Sequence, residues 1–210
     1  MSRASRIRAE FVASWHAFLR RRTAVFFTFF FPAIIVVIFG ALVGTQPTGG
    51  GLFSEPDGYY VAGYLAVVVL FTPLSRVGST VARYRAGSRF EKLATTPLRR
   101  WEWLLAQSLV NVVVVGAAAT LLLVLTVLVT ETAVPIAPAT LLFLPFVGFG
   151  VVLFCGLGAV LGRVASSQDG VIAASNAVAL PLLFLSETFV TPDLLPAWFR
   201  PALAASPLTY

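Results

Sequence analysis

Five stretches of this chain run almost without charged side chains for long enough to cross a bilayer, and that pattern limits the possible folds more than any motif does. A spanning helix needs roughly 20 mostly apolar residues, and the intervals between charges supply such segments at about 23–44, 58–75, 103–130 and 139–162, with a fifth at 170–189 whose last residues include Glu187, expected at the interface. The first closes at the polar cluster Thr45-Gln46-Pro47-Thr48-Gly49-Gly50-Gly51, and a short loop holding Glu131, Pro135 and Pro138 divides the third from the fourth. Charged residues are only 11% of the chain, too few to cover a soluble particle of this size. The expected fold class is all-α: a polytopic membrane helix bundle of five spans forming a single transmembrane domain over residues 1–210.

Alternating the spans across a membrane puts residues 1–22, 76–102 and 163–169 on one side, with fourteen Lys and Arg, and leaves Arg200 alone on the other. By the positive-inside rule the Arg-rich side is cytoplasmic. The reading is therefore a multi-pass plasma-membrane protein with its N-terminus inside and residue 210 outside. The net charge of +6 reports orientation rather than a nucleic-acid partner, because the basic residues flank apolar runs. No cleavable signal peptide is expected, since the first apolar run begins after Arg20, Arg21 and Arg22 and is far longer than a signal core.

Outside the spans, three segments carry information. Ile7, Phe11, Trp15, Phe18 and Leu19 recur at helical spacing among arginines, which predicts an amphipathic helix in the cytoplasmic interface, either a topogenic anchor or a working part. In the loop after span two, Gly87 breaks the helix, Ser88 to Ala94 form a short one, and Pro97 stops it before Trp101. Phe90 and Leu93 are expected to be exposed on that short helix, with Arg89, Glu91 and Lys92 setting its orientation on a soluble partner; the same loop also reads as a plain positive-inside segment. Beyond Glu187, the residues Leu194, Leu195, Trp198 and Phe199 predict a short re-entrant or interfacial segment on the outer side. Within the spans, Gly40 with Gly44, and Gly158 with Gly162, form G-x-x-x-G pairs that permit close helix packing, including packing of two copies. Asn111 and Asn176 read as interhelical hydrogen-bond glue.

Several chemistries are excluded. Lys92 is the one lysine and follows Glu91, so no G-x-x-x-x-G-K-[ST] phosphate loop exists and no cofactor is expected on this chain. One histidine, His16, and one cysteine, Cys155, make no zinc-protease motif or cysteine-based metal cluster, and no nucleophile has a plausible histidine base, so an enzyme is not expected. No ionisable group is predicted at mid-span, which disfavours a proton-driven or ion-coupled pump. A permease powered by a separate subunit needs none of these features.

Three pieces, in order along nearly the whole chain, resemble the type-2 export permeases of ATP-binding cassette (ABC) transporters. The Arg-rich start leads into Phe26-Phe27-Thr28-Phe29-Phe30-Phe31-Pro32. Gly87 with Phe90-Glu91-Lys92-Leu93-Ala94-Thr95-Thr96-Pro97 looks like that family's G-x-x-E-x-L-x-x-T-P loop. Ser186-Glu187-Thr188-Phe189, Leu195-Pro196-Ala197-Trp198 and Ser206-Pro207-Leu208-Thr209-Tyr210 resemble its outer turn and terminal P-L-T-Y. The resemblance implies a homodimer or pseudodimer in contact with membrane lipids, exporting an amphipathic, lipid-like, glycan or drug substrate. It also implies a cognate ABC ATPase subunit carrying ATP and Mg, with residues 88–94 as the coupling helix and 6–20 as the interfacial helix. Two departures stand: Glu91 comes four residues after Gly87 rather than three, and the sequence stops at Tyr210 where the family continues into a sixth span. A truncated chain is the expectation, and a non-transporting membrane scaffold or assembly partner is the alternative function.

Overall fold

The computed structural model describes residues 2–38, 57–130, 142–186 and 196–207. Every regular element among them is helical: α1 (Arg3–Leu19), α2 (Arg22–Val37), α3 (Asp57–Ala86), the short α4 (Arg89–Ala94), α5 (Arg100–Thr130), α6 (Phe143–Val164), α7 (Gln168–Phe184) and a 3-10 helix, Arg200–Ala205. The five expected spans map onto α2, α3, α5, α6 and α7. Stretches of α3, α5 and α6 are long and apolar enough to cross a bilayer, and the described parts of α2 and α7 are apolar but shorter. Helix is the form in which a chain satisfies its backbone polar groups without water. Pro32, Pro73 and Pro181 are carried inside helices, while Pro145 falls in the first turn of α6, where its missing N–H costs nothing.

Helix α3 is the hub and packs against α5, α6 and α7. Its Leu70, Leu74 and Val77 meet Val115, Val151 and Phe154 in a core where each is almost wholly buried. The outward faces carry Phe26, Phe27, Phe30, Leu128, Phe146 and Phe149, the side chains a helix bundle offers to lipid tails. Lipid is as apolar as leucine, so close packing rather than water exclusion must hold such a bundle together. The tightest packing is at glycine. Gly158 lies against the carbonyl of Leu74, Gly162 against the carbonyl of Gly78, and a methyl at Gly78 would meet Val171 Cγ1 of α7 at 2.6 Å. The pair Gly158 and Gly162 thus joins α6 to α3 within one protomer. The other expected packing pair falls elsewhere: Gly40 lies outside the described residues, and Gly44 lies outside the described residues as well, because the described part of the first span stops at residue 38.

One boundary differs from the sequence expectation. The charge pattern ends the second span at Ser75, yet α3 continues through Arg76, Arg83 and Arg85 to Ala86. No Pro or Gly pair interrupts it there, and helix propensity is indifferent to arginine. Arg76 is half-buried inside the bundle, its guanidinium carbon 4.3 Å from the centroid of the Phe18 ring.

Candidate functional site at the basic end of the bundle

The C-terminal ends of α3 and α6, the N-terminal ends of α5 and α7, and all of α1 and α4 gather at one end of the bundle, and with them most of the arginines. Three local devices build it. The first pins α1 to α5. Glu102, wholly buried, accepts hydrogen bonds from Arg6 Nε at 3.1 Å, from Arg6 NH2 at 2.5 Å and from the backbone N–H of Arg99 at 2.9 Å. The last bond is half of a capping box, a glutamate in the third helical position reaching back to the residue before the helix. Further along the same seam Gln107 Nε2 donates to Ser14 Oγ at 2.6 Å and to Glu10 Oε1 at 3.2 Å. Burial of Glu10 raises its carboxyl pKa above the ordinary value, against the lowering effect of the bonds from Ser14 and Gln107.

The second device is α4 itself. Residues Arg89–Ala94 form the helix expected at 88–94. Gly87 and Ser88 make the turn, but the left-handed residue is Ser88, at φ 50°, rather than the glycine. At the far end Thr95 Oγ1 donates to the Lys92 carbonyl at 2.8 Å and Thr96 Oγ1 to the Leu93 carbonyl at 2.7 Å, covering carbonyls that a helix end leaves without partners. Pro97 then forbids continuation. The expectation for Phe90 and Leu93 is corrected: both are half-buried and packed on the core. The Phe90 ring lies 5.5 Å from Tyr84 of α3 and 5.2 Å, edge to face, from Trp103 of α5, and Tyr84 and Trp103 are 5.3 Å apart. An aromatic triangle therefore fastens α4 to the ends of two spans. Arg89, Glu91 and Lys92 remain exposed, and beside them a groove of about 610 Å³ runs between Glu91, Arg100, Ala159 and Arg163.

The third device ties α3 to α6. Arg85 NH1 donates to the carbonyls of Gly162, Arg163 and Ala165, placing a positive charge on the negative end of the α6 dipole. Residues that sequence reasoning missed here include Glu102, whose signal was its place as the third residue of a helix, and Gly78, which with Ala82 forms a small-x-x-x-small pair in a stretch that the charge pattern marks as loop.

Other expected residues fall as follows. Phe11 and Trp15 are half-buried and Phe18 buried, all packing on Val110 and Val114 of α5, so the apolar face of α1 is spent largely on the bundle. At the opposite end Trp198 is exposed, with Phe199 against it at 5.4 Å, and Ser206 Oγ donates to the Leu182 carbonyl at 2.7 Å, folding the tail back on α7. Glu187, Leu194 and Leu195 lie outside the described residues. Asn111 bonds within its own helix, to the Gln107 carbonyl at 2.8 Å, rather than across helices. Asn176 sits on an exposed face of α7.

An all-helical bundle with a lipid-facing apolar surface and a short charged helix held beneath its spans is a polytopic membrane protein of the permease type. The comparison with protein families agrees: residues 6–210 match the family model described as ABC-2 type transporter, and the chain belongs to that family of transporter membrane subunits. It is also 40% identical, over 52 residues, to the daunorubicin resistance ABC transporter permease protein DrrB1 of Streptomyces coeruleorubidus. That match covers 25% of this chain and 18% of the relative's length. No solved structure matches the chain.

Proposed function

We propose that the chain is the membrane subunit of an ATP-driven exporter, with the basic end cytoplasmic and α4 receiving a separate ABC ATPase that binds ATP and Mg. The observation that carries this reading is the two-sided construction of α4. Its charged face is free to be recognised, and its aromatic face is wedged between α3 and α5. A helix held in that way passes a displacement by the partner directly to two spans. Glu91, Lys92 and Arg89 then supply orientation through charge complementarity, and Phe90 serves as the link into the bundle rather than as the contact with the partner. The cargo is an amphipathic molecule of the drug, lipid-like or glycan class; the lipid-facing bundle and the drug named in the relative's title favour the first. A dimer is the working unit, and Asn176 supports it, because an amide on an exposed mid-span face is poorly served by lipid.

The experiment co-expresses the chain with its cognate ATPase, the chain carrying Glu91→Arg or Phe90→Ala. Glu91→Arg is expected to weaken co-purification of the ATPase and to lower substrate-stimulated hydrolysis, leaving membrane insertion unchanged. Phe90→Ala is expected to retain most ATPase binding and lose stimulation, because it loosens α4 from Trp103. Unaltered binding, hydrolysis and export in both variants would make the loop a topogenic segment and the chain a scaffold. Capture of the ATPase on sealed right-side-out vesicles, with the basic end inside, would overturn the orientation.

A further inference from the structure

Between α1, α3 and α5, next to the α1–α2 junction, lies a cavity of about 150 Å³ into which four arginines converge: Arg21 after α1, Arg76 and Arg83 of α3, and Arg89 of α4. Among the described residues no carboxylate lines it. Glu10 is engaged by two of the lining residues, Ser14 and Gln107. Two of the guanidiniums have buried nitrogens with no hydrogen-bond partner among the described residues, Arg76 NH1 and Arg83 Nε. What the described residues do offer is weak compensation. Arg76 lies over the Phe18 ring at 4.3 Å, Arg89 lies 5.3 Å from the Tyr84 centroid, and Arg83 NH2 reaches Thr80 Oγ1 at 3.4 Å.

Four like charges around one void are mutually repulsive, and Arg76 and Arg83, with their unsatisfied buried donors, are poorly solvated unless an anion sits among them. At about 30 Å³ of liquid volume per water, the void is large enough for one tetrahedral oxyanion and a few waters. Guanidinium forks match the oxygens of a phosphate. The arginines come from three separate parts of the chain, the α1–α2 junction, α3 and α4, so a single anion bridges all three. The depth also fits the sequence expectation that α1 is an interfacial helix, which would set the cavity near the level of phospholipid phosphates.

We propose that this cavity binds a phosphate oxyanion, either the headgroup phosphate of an anionic phospholipid or free phosphate, and that the bound anion clamps α1, α3 and α4 together. The site does not depend on the exporter reading, and its test uses the purified full chain alone. Phosphatidylglycerol, titrated into detergent micelles against phosphatidylcholine, is expected to raise the thermal unfolding temperature saturably by several degrees, and inorganic phosphate is titrated in parallel. Arg83→Gln is expected to weaken that midpoint by about ten- to a hundredfold, the loss of one charge-assisted contact. Arg89→Gln, at an exposed position whose replacement leaves the bundle folded, is expected to weaken it in the same direction. Arg8→Gln removes an equal charge from the exposed face of α1, outside the cavity, and is expected to change little. Saturation by the lipid alone assigns the anion to the membrane, and saturation by inorganic phosphate assigns it to the cytoplasm. A response to neither, or equal weakening by Arg8→Gln and by the cavity variants, would overturn the site.

Discussion

The contact between α3 and α6 makes Gly162→Ala the sharpest structural test. A Cβ at Gly162 would meet the Gly78 carbonyl, the Val81 Cβ at 2.8 Å and the Gly78 carbonyl carbon at 3.0 Å. These neighbours are backbone or β-branched and cannot swing aside, so the helices must part by about 1 Å to restore ordinary contact. Overpacking of this kind costs about 1–3 kcal/mol. Gly158→Ala faces the Leu74 backbone in the same way, with Cα and carbonyl carbon at 3.1 Å. The double variant should cost less than the sum of the two, because one displacement relieves both clashes. Gly156→Ala is the control: nothing stands within 4 Å of its added methyl, and the gain in helix propensity of up to about 1 kcal/mol should leave it neutral or stabilised. The assay is thermal unfolding followed by size-exclusion fluorescence in detergent, with dimer crosslinking in parallel. Equal unfolding temperatures for Gly156→Ala and Gly162→Ala would refute the tight crossing. Loss of crosslinking without loss of stability would place the glycine stripe between protomers instead.

Two further outcomes follow from single residues. Ser88 holds a left-handed conformation that costs a non-glycine residue about 1–2 kcal/mol, so Ser88→Gly should stabilise the α3–α4 turn by up to about 1 kcal/mol, read as a higher unfolding temperature; a lower one would mean the serine side chain matters more than its φ. In the proposed dimer Asn176→Cys should form a disulfide-linked species in membranes under mild oxidation, with little background because the native Cys155 is buried; a monomer at every oxidant concentration would remove α7 from the interface.

The five apolar helices, three of them long enough as described to cross a bilayer, were legible because charge is costly there, and intervals between charges mark them with little else needed. The same rule misplaces the end of span two, since charge ends a hydrophobic slab but not a helix: Arg76 is half-buried, with its guanidinium over Phe18, and α3 continues past it. The short helix 88–94 was legible from Gly87 and Pro97. Its inward face was not, because six residues hold too few apolar positions to show which side Phe90 and Leu93 take, and Tyr84 and Trp103 decide it from two other helices. The glycine pair in α6 was visible and its partner was not, because G-x-x-x-G states that a backbone comes close without stating whose. The four-arginine cavity was hidden for a similar reason, its members being spread from position 21 to position 89.

The ion pair between Arg6 and Glu102 joins residues 96 positions apart. At a synthesis rate of about 5–20 residues per second, roughly 5–20 s pass between the synthesis of Arg6 and that of its carboxylate partner. Until then α1 lacks the partner that pins it, and it reaches its final seat only when α5 arrives. Biogenesis of this bundle therefore closes on its own beginning: the ribosome must complete the middle of the chain before the first helix it made can be locked, and a stall ahead of residue 102 leaves the N-terminus unlatched for quality control to find.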